Sequence, residues 1–451
     1  MDKRVDLLKG NILKVLITMA IPIMGTSLLQ IAYSMIDMIW IGRIGANSVA
    51  AVGAAGMYVY LGTGVGAFLK VGGQVCVARS FGAGDNERAA LYGRNAIQLG
   101  FIVSAVFGCI LCAFTGPLTA YFEFTNHTVI RETEIYLFTM GLFIFFPIIN
   151  PIFTAIINAT SNSKTPFRIN TVGLVINIVA DPLLIFGVGP LPRLGVLGAA
   201  LATVLGQVVV FILFVLYMKK DEKVFSKMHY LKAMNGKMLG EMTKIGLPAS
   251  VQVIVFSVIA IVIGRIIAMW GEVAVAVQKV GVQIESISYT AAEGFSMATN
   301  SFLAQNYGAE KYERAKEGYY KALGVMVCWG ILTTCAMVFF PEVIFSIFIP
   351  DAAVIPFGAD YLRIVGYSQL FMCVEIVTAG AFAAYGKAII PSVTSIIFTG
   401  LRIPAGLMLG ATVLGINGVW WSISISSICV GVILLVLFIS FINKFTAKKM
   451  V

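Results

Sequence analysis

Twelve apolar runs recur along the 451-residue chain, and they constrain its fold more than any other feature. About 20 apolar residues in helical conformation cross the hydrocarbon core of a bilayer, so each run predicts one membrane-spanning helix. We number them spans 1 to 12, at residues 14–41, 49–77, 96–118, 135–159, 169–189, 196–218, 246–270, 280–305, 320–340, 361–386, 388–410 and 418–441. None shows the strict alternation of a membrane β-strand. The sequence predicts an all-α polytopic membrane protein with twelve transmembrane helices.

The charge content and its distribution support this class and predict an orientation. Only 12% of the residues are charged, against about 25% in soluble domains, which excludes a soluble fold. Of the 32 lysine and arginine residues, 24 lie in the termini and loops on one side of the predicted membrane and four on the other. Since basic loops stay inside, we expect both termini in the cytoplasm and the chain in the cell membrane. The net charge of +10 then reports sidedness, and we expect no nucleic-acid partner.

The second half of the sequence repeats the first at a constant shift. The shift that aligns Pro22 with Pro248 also places Glu87-Arg88-Ala89 on Glu313-Arg314-Ala315, and we call it the repeat shift. The second match is polar and falls in equivalent loops, so shared apolar composition does not account for it. A repeat of this kind predicts a duplicated architecture.

The duplication divides the twelve spans into two lobes of six. We expect an N-lobe over 1–218, a basic cytoplasmic linker over 219–244 and a C-lobe over 245–451. Six is an even number, so both lobes enter the membrane in the same orientation. They are then related by a pseudo-twofold axis along the membrane normal, an arrangement suited to alternating access.

Five of the 22 acidic residues fall inside spans, where an ionisable side chain is costly and is a functional candidate. They are Asp37, Asp181, Glu285, Glu293 and Glu375. Four basic residues in or beside spans, Lys70, Arg265, Arg363 and Arg402, are either counter-ions or side chains that extend to the interface, and we expect the latter for Arg363. The cysteines predict no metal or redox site, since all seven lie in apolar runs.

Asp37 and Asp181 each lie on a polar stripe of an otherwise apolar span. Helical spacing puts Gln30 and Tyr33 on the face of Asp37, and Asn177 one turn before Asp181. Two neighbouring carboxylates in a medium of low dielectric constant cannot both ionise at low cost, so one is protonated or a cation binds between them. This chemistry suits coupling to H⁺ or Na⁺. The alternative is a structural polar contact between helices.

Span 8 is the most polar span, and its acids predict a second site. Glu285 and Glu293 share one face, and Glu375 of span 10 is placed to meet them within the C-lobe. They are candidates for C-lobe coupling or substrate binding, although Glu285 also fits an interfacial position. The chain has no phosphate-binding loop, zinc-protease motif or serine nucleophile motif. We therefore expect a transporter rather than an enzyme, with no cofactor.

Several motifs together resemble the MATE (multidrug and toxic compound extrusion) transporter family, and within it the DinF-like bacterial branch. The resemblance covers nearly the whole chain. The motifs are Ala20-Ile21-Pro22, the segments 79–83 and 305–309 before the repeated Glu-Arg-Ala, Asn177-Ile178-Val179-Ala180-Asp181-Pro182 and Gly195-Val196-Leu197-Gly198-Ala199-Ala200. The resemblance implies cation-coupled efflux of amphipathic, often cationic compounds.

The same resemblance implies a set of site residues. The family's N-lobe cation site corresponds here to Asp37, Tyr136, Asn177, Asp181, Thr203 and Thr154. Pro22 matches a proline at which helix 1 is proposed to bend. In NorM-like members an acid follows the Gly-Leu-Pro motif of helix 7, but this chain has Phe256 there. Glu293 and Glu375 are then substitutes for that acid, or the C-lobe binds only the drug.

These observations predict a secondary active multidrug antiporter, acting as a monomer in the bilayer on small organic substrates. H⁺ or Na⁺ is the coupling ion, and no metal other than Na⁺ at Asp37 and Asp181 is expected. The alternative function is a lipid-linked precursor flippase of the wider superfamily. A flippase favours a strongly basic cavity, for which only Lys70, Arg265 and Arg402 are available.

Overall fold

The computed structural model describes residues 4–124, 126–187, 192–226, 228, 232–349 and 351–450. In these ranges the chain forms α-helices joined by turns, and they contain no strand. Eight helices precede the predicted linker: α1 (Ile12–Gly42), α2 (Ala46–Gly82), α3 (Asn86–Ala113), α4 (Thr115–Ala120), α5 (His127–Leu142), α6 (Phe145–Ala159), α7 (Lys164–Phe186) and α8 (Val196–Lys220). The prediction of an all-α protein is confirmed.

The remaining helices repeat this order. They are α9 (Gly236–Ala268), α10 (Glu272–Gly308), α11 (Tyr312–Phe339), α12 (Pro341–Ser346), α13 (Ile355–Gly366), α14 (Gln369–Ala384), α15 (Ile389–Gly400), α16 (Arg402–Gly410) and α17 (Ile416–Met450). The repeat shift places both ends of α2, α3 and α4 on the ends of α10, α11 and α12. The shift found in the sequence therefore also relates the helices.

Helix length and composition identify the membrane spans. Nine candidate spans and two bent helix pairs in the described ranges are long and apolar enough to cross a bilayer, with α15 and α16 counted as one span. The 37-residue α10 is also long enough, although its polar residues make it less apolar than the others. With α10 included, the spans number twelve, as predicted.

Spans 4 and 10 differ from the prediction, because each is broken rather than continuous. The bend between α5 and α6 is 46°, and that between α13 and α14 is 45°. Pro147 lies in the first turn of α6, where its ring excludes the carbonyl of residue 143 from a regular helical hydrogen bond. In the second half, α13 ends at Gly366. The apolar runs conceal both breaks, because hydropathy does not report backbone hydrogen bonds.

Contacts group the chain into two compact units. The first comprises Met1–Val5 and Gly25–Ser250, and the second comprises Asp6–Met24 and Val251–Val451. The first parts of α1 and α9 therefore belong to a different unit from the remainder of each helix. The changes of unit fall after Met24 and after Ser250, two positions that the repeat shift aligns. The predicted lobe boundaries at 218 and 245 stay a prediction.

The described part of the predicted linker packs within the first unit. Phe225 is 1% exposed, and Asp221 forms an ion pair of 2.7 Å with Arg4. Arg94 of α3 donates a hydrogen bond to the Ala233 carbonyl at 3.1 Å. These contacts fix the segment against the helices that precede it.

Close packing of α7 on α8 positions the polar residues of the first unit. A methyl group added to Gly198 would lie 2.4 Å from the Leu184 carbonyl oxygen, and one on Gly206 would lie 3.0 Å from the Gly173 carbonyl oxygen. A methyl on Gly206 would also come within 3.2 Å of the Tyr33 hydroxyl. Only glycine permits these approaches, so α1, α7 and α8 meet with little side-chain volume between them.

Candidate functional site

Asp37 is held near the end of α1 by a contact with α8. The Thr203 hydroxyl donates a hydrogen bond of 3.1 Å to Asp37 Oδ2. One turn before Asp37, Tyr33 donates to the Thr203 carbonyl at 3.0 Å. The polar stripe predicted on span 1 therefore faces α8, with Asp37 half-buried at its end.

Asp181 and Asn177 present a second pair of polar groups from α7. Both side chains are completely buried, and Asn177 Nδ2 donates to Asp181 Oδ1 at 3.2 Å. The spacing of four residues places the amide one turn before the carboxyl group, as the sequence predicts. Pro182 follows within the helix.

The structure brings the Asp37 and Asp181 carboxyl groups together. They are close enough to share a hydrogen bond when one is protonated, and Asn177 is also within reach of Asp37. Three oxygen atoms in this cluster, Asp37 Oδ1, Asp181 Oδ2 and Asn177 Oδ1, are buried without a hydrogen-bond partner among the described residues. No lysine or arginine in the described ranges pairs with either carboxyl group. The cluster, which we call the carboxyl pair, therefore has unused acceptors and no positive charge of its own.

Tyr136 borders the carboxyl pair from α5. Its side chain is 7% exposed, and it interacts electrostatically with both acids. Oxygen ligands of this kind, from carboxylates, an amide and hydroxyl groups, suit a proton or a hard cation such as Na⁺.

Thr154 is buried on α6, where its described contact is with Asn170 and not with the carboxyl pair. Its hydroxyl is 3.5 Å from Asn170 Nδ2, and none of its described hydrogen bonds joins it to the carboxyl pair. Asn170 lines a cavity of about 20 Å³ together with Gln30, Tyr33 and Gln207. The cavity is large enough for one water-sized group and extends the network along α1.

Pro22 lies inside α1, and the helix continues through it from Ile12 to Gly42. Proline removes one backbone donor and crowds the preceding turn. The structure describes a single state, so bending at Pro22 stays a prediction.

The three acids of the second unit lie in different environments. Glu285 of α10 accepts a hydrogen bond from the Tyr361 hydroxyl, and Glu375 of α14 accepts one from Ser395 at 2.8 Å. Glu293 is half-buried farther along α10. No described hydrogen bond joins any two of these acids.

Two features of the first unit were not predicted as part of the site. Tyr33 belongs to the predicted stripe, but nothing in the sequence shows that it contacts the Thr203 backbone. The Tyr33 hydroxyl lies against Gly206, which has no side chain to block it. A glycine within an apolar span does not indicate in the sequence that a tyrosine packs against it.

Comparison with known proteins identifies the family. The sequence model of the MatE family matches residues 22–183 and again 248–408, so the matched regions begin at the two aligned prolines, Pro22 and Pro248. The Bacillus subtilis protein named "Probable multidrug resistance protein YoeA" is 26% identical over 89% of this chain and 88% of its own length. The "Probable multidrug resistance protein NorM" of Thermotoga maritima is 26% identical over 91% of this chain and 88% of its own.

A solved structure shows the same fold. It is described as the outward-facing conformation of a multidrug resistance MATE family transporter, and it matches with a TM-score of 0.90 and 23% identity. The match covers 98% of this chain and 99% of that one. The predictions of a two-lobe fold of twelve helices, and of a transporter rather than an enzyme, are confirmed. The chain belongs to the MatE family of multidrug efflux transporters.

Proposed function

We propose that the protein is a secondary active transporter that exports amphipathic, cationic organic compounds in exchange for H⁺ or Na⁺ by alternating access. The observation that carries this proposal is the carboxyl pair: among the described residues, three of its buried oxygen atoms lack hydrogen-bond donors and no basic side chain neutralises it. A buried site with excess negative charge gains stability when a cation enters. The pair is thus suited to take up a coupling ion from solution.

Coupling requires that the cation and the drug oppose each other's binding, because cation uptake in the outward-open state competes with or reshapes the drug site. A cation that binds the carboxyl pair more tightly in the outward-open state shifts the population towards that state. A drug that binds more tightly in the inward-open state shifts it back. Loading the pair on the outside then drives release of the drug, and unloading it inside resets the cycle. Bending of α1 at Pro22 is one way for this change to reach the rest of the helix.

The test uses purified protein reconstituted in vesicles with a fluorescent organic cation. Transport is measured under a pH gradient alone and then under a sodium gradient alone, which identifies the coupling ion. We expect Asp37→Asn and Asp181→Asn each to reduce gradient-driven transport by about 100-fold. Asp351→Asn is the matched control, because it makes the same change at an exposed acid outside the spans. Wild-type transport rates in both carboxyl-pair variants would rule out the proposed coupling site.

We also propose that the protein lies in the cell membrane with both termini in the cytoplasm. The support is the uneven distribution of lysine and arginine between the two sides, 24 against four. Epitope tags at both ends should be protected from protease in intact cells and cleaved in inside-out vesicles. Cleavage of either tag in intact cells would contradict this orientation.

A further inference from the structure

Arg402 places a permanent positive charge deep within a membrane span. It begins α16, which with α15 forms the candidate span Ile389–Gly410. The residue is 13 positions from one end of that span and eight from the other, or about 20 Å and 12 Å at 1.5 Å per residue. An uncompensated cation at such a depth is costly. The position calls for an explanation other than interfacial anchoring.

The direct contacts of Arg402 are with neutral groups. Its Nε donates to the Ser426 hydroxyl at 2.5 Å, and its Nη2 donates to the Ser427 hydroxyl at 2.9 Å. The guanidinium also lies 5.9 Å from the centre of the Phe256 ring. These contacts orient the side chain from α17 and α9, but hydroxyl groups do not neutralise its charge.

Two acidic side chains lie within electrostatic range of this charge. Glu285 on α10 and Glu375 on α14 both interact electrostatically with the Arg402 guanidinium. Each carboxylate also accepts a hydroxyl hydrogen bond, Glu285 from Tyr361 and Glu375 from Ser395 at 2.8 Å. We call Glu285, Glu375 and Arg402 the charged triad. Each of its members is oriented by a hydroxyl group on another helix.

We propose that Arg402 is a built-in counter-cation for Glu285 and Glu375. Its guanidinium supplies positive charge within the second unit, whereas the carboxyl pair takes its positive charge from solution. Arg402 is a positioning residue, because it acts on the two acidic side chains and does not itself meet a transported ion. Its guanidinium offsets one of the two negative charges, so the second unit depends less on a cation from solution than the carboxyl pair does. This inference rests on the proposed function only in assigning coupling to that pair.

The test measures thermal stability, so it does not depend on transport. The full-length protein carries Asp37→Asn and Asp181→Asn, which remove both ionisable groups of the carboxyl pair. We call this double variant the silenced background. To this background we add Arg402→Gln, Arg402→Lys, Glu375→Gln, or Arg402→Gln with Glu375→Gln. We expect Arg402→Gln to lower the melting temperature and Arg402→Lys to preserve most of it, because lysine keeps the charge.

The double variant separates charge compensation from hydrogen bonding to Ser426 and Ser427. We expect Glu375→Gln to raise the melting temperature of Arg402→Gln, or to restore a folded protein where the single variant cannot be purified. If Arg402 has only a structural role, the losses of melting temperature caused by Arg402→Gln and by Glu375→Gln add. Additive losses, or equal losses in Arg402→Lys and Arg402→Gln, would overturn the proposal.

The second measurement is the change in melting temperature when a cation is added. In the silenced background we expect NaCl, compared with choline chloride, to leave the melting temperature unchanged. Adding Arg402→Gln should create a rise of about 2–4 °C with sodium or with acid, which Glu375→Gln removes. When the single variant cannot be purified, the response is measured in Arg402→Gln combined with Glu285→Gln, which leaves Glu375 uncompensated. The absence of a response to either ion would also overturn the proposal.

Discussion

The two units carry their buried charges differently on a repeated framework. The shift that aligns Pro166 with Pro391 pairs Asn177 with Arg402 and Asn150 with Glu375, and the shift that aligns Gly198 with Gly418 pairs Gln207 with Ser427. In the first unit these positions hold neutral amides, and Asn150 donates to the Gln207 side chain at 2.8 Å. In the second unit the positions of Asn177 and Asn150 carry charges of opposite sign. The duplication thus preserves the helices while the two polar clusters diverge.

This difference indicates that the two units have different roles in cation binding. On the proposals above, the cluster without a built-in cation takes one from solution, whereas the guanidinium of the other cluster reduces that need. The first unit keeps two acids beside an amide, and the second pairs two acids with a guanidinium. We infer that position 177 decides which behaviour a cluster has.

The largest expected effect comes from moving the arginine between the units. Asn177→Arg places a guanidinium beside Asp37 and Asp181, at the position that the repeat aligns with Arg402. We expect the gradient-driven transport of the purified protein to fall by about 100-fold, because the built-in charge displaces the coupling ion. Transport by reconstituted vesicles is the measurement, with Asn177→Gln as the control that keeps a neutral amide. Coupled transport by Asn177→Arg at wild-type rates would break the comparison.

A smaller effect tests what the two units share. Gly198 and its counterpart Gly418 both lie against backbone: an added methyl would be 2.4 Å from the carbonyl oxygen of Leu184 or Leu409. We expect Gly198→Ala and Gly418→Ala to destabilise the protein equally, by about 1–3 kcal/mol each. Thermal melting in detergent measures this effect. Gly53→Ala is the control, since nothing lies within 4 Å of its added methyl. Unequal losses would show that the frameworks have diverged together with the charges.

Removing a hydrogen bond to an acid should affect coupling in one unit only. Thr203→Val removes the donor to Asp37, and we expect the apparent affinity for the coupling ion to change by about 3–10-fold. Ser395→Ala removes the donor to Glu375 and should leave that affinity unchanged. The measurement is the dependence of transport on ion concentration. An equal change in both variants would place coupling in both units.

The smallest effect is expected at Tyr33. Tyr33→Phe removes the hydrogen bond to the Thr203 carbonyl but no ligand of the carboxyl pair. We expect a change in apparent ion affinity of about 2–5-fold, measured in the same assay. Tyr58→Phe, which removes a hydroxyl bonded to the Leu118 carbonyl at 2.9 Å, is the matched control. A larger effect than that of Thr203→Val would give Tyr33 a direct role at the ion.

Much of the fold follows from the sequence, because bilayer thickness imposes the length of each span. The run 49–77 lies within α2, and the repeat shift recurs in the helix ends. The bends at residues 143–144 and 367–368 do not follow, since they depend on local backbone geometry inside uninterrupted apolar runs. The short helix α4 overlaps the end of predicted span 3, and α12 directly follows predicted span 9, so the sequence predicts neither as a separate helix.

The candidate site was partly predictable for a similar reason. Periodicity identifies the polar face of a helix, so it assigned Asp37 and Asp181 to interior positions. It does not identify the helix that this face contacts. The contact of Thr154 with Asn170 and that of Tyr33 with the Thr203 carbonyl therefore emerge only from the packing. Arg402 was recognised as an unusual basic residue, but its partners lie on helices distant in sequence.

The central claim is that the first unit alone exchanges its cation. The most direct test is gradient-driven transport by two variants reconstituted side by side. One carries Asp37→Asn and Asp181→Asn, and the other replaces the whole charged triad through Glu285→Gln, Glu375→Gln and Arg402→Gln. We expect the first to transport equally with and without the gradient, and the second to retain its stimulation by the gradient. Loss of stimulation in the triad variant, or its retention in the carboxyl-pair variant, would contradict the account.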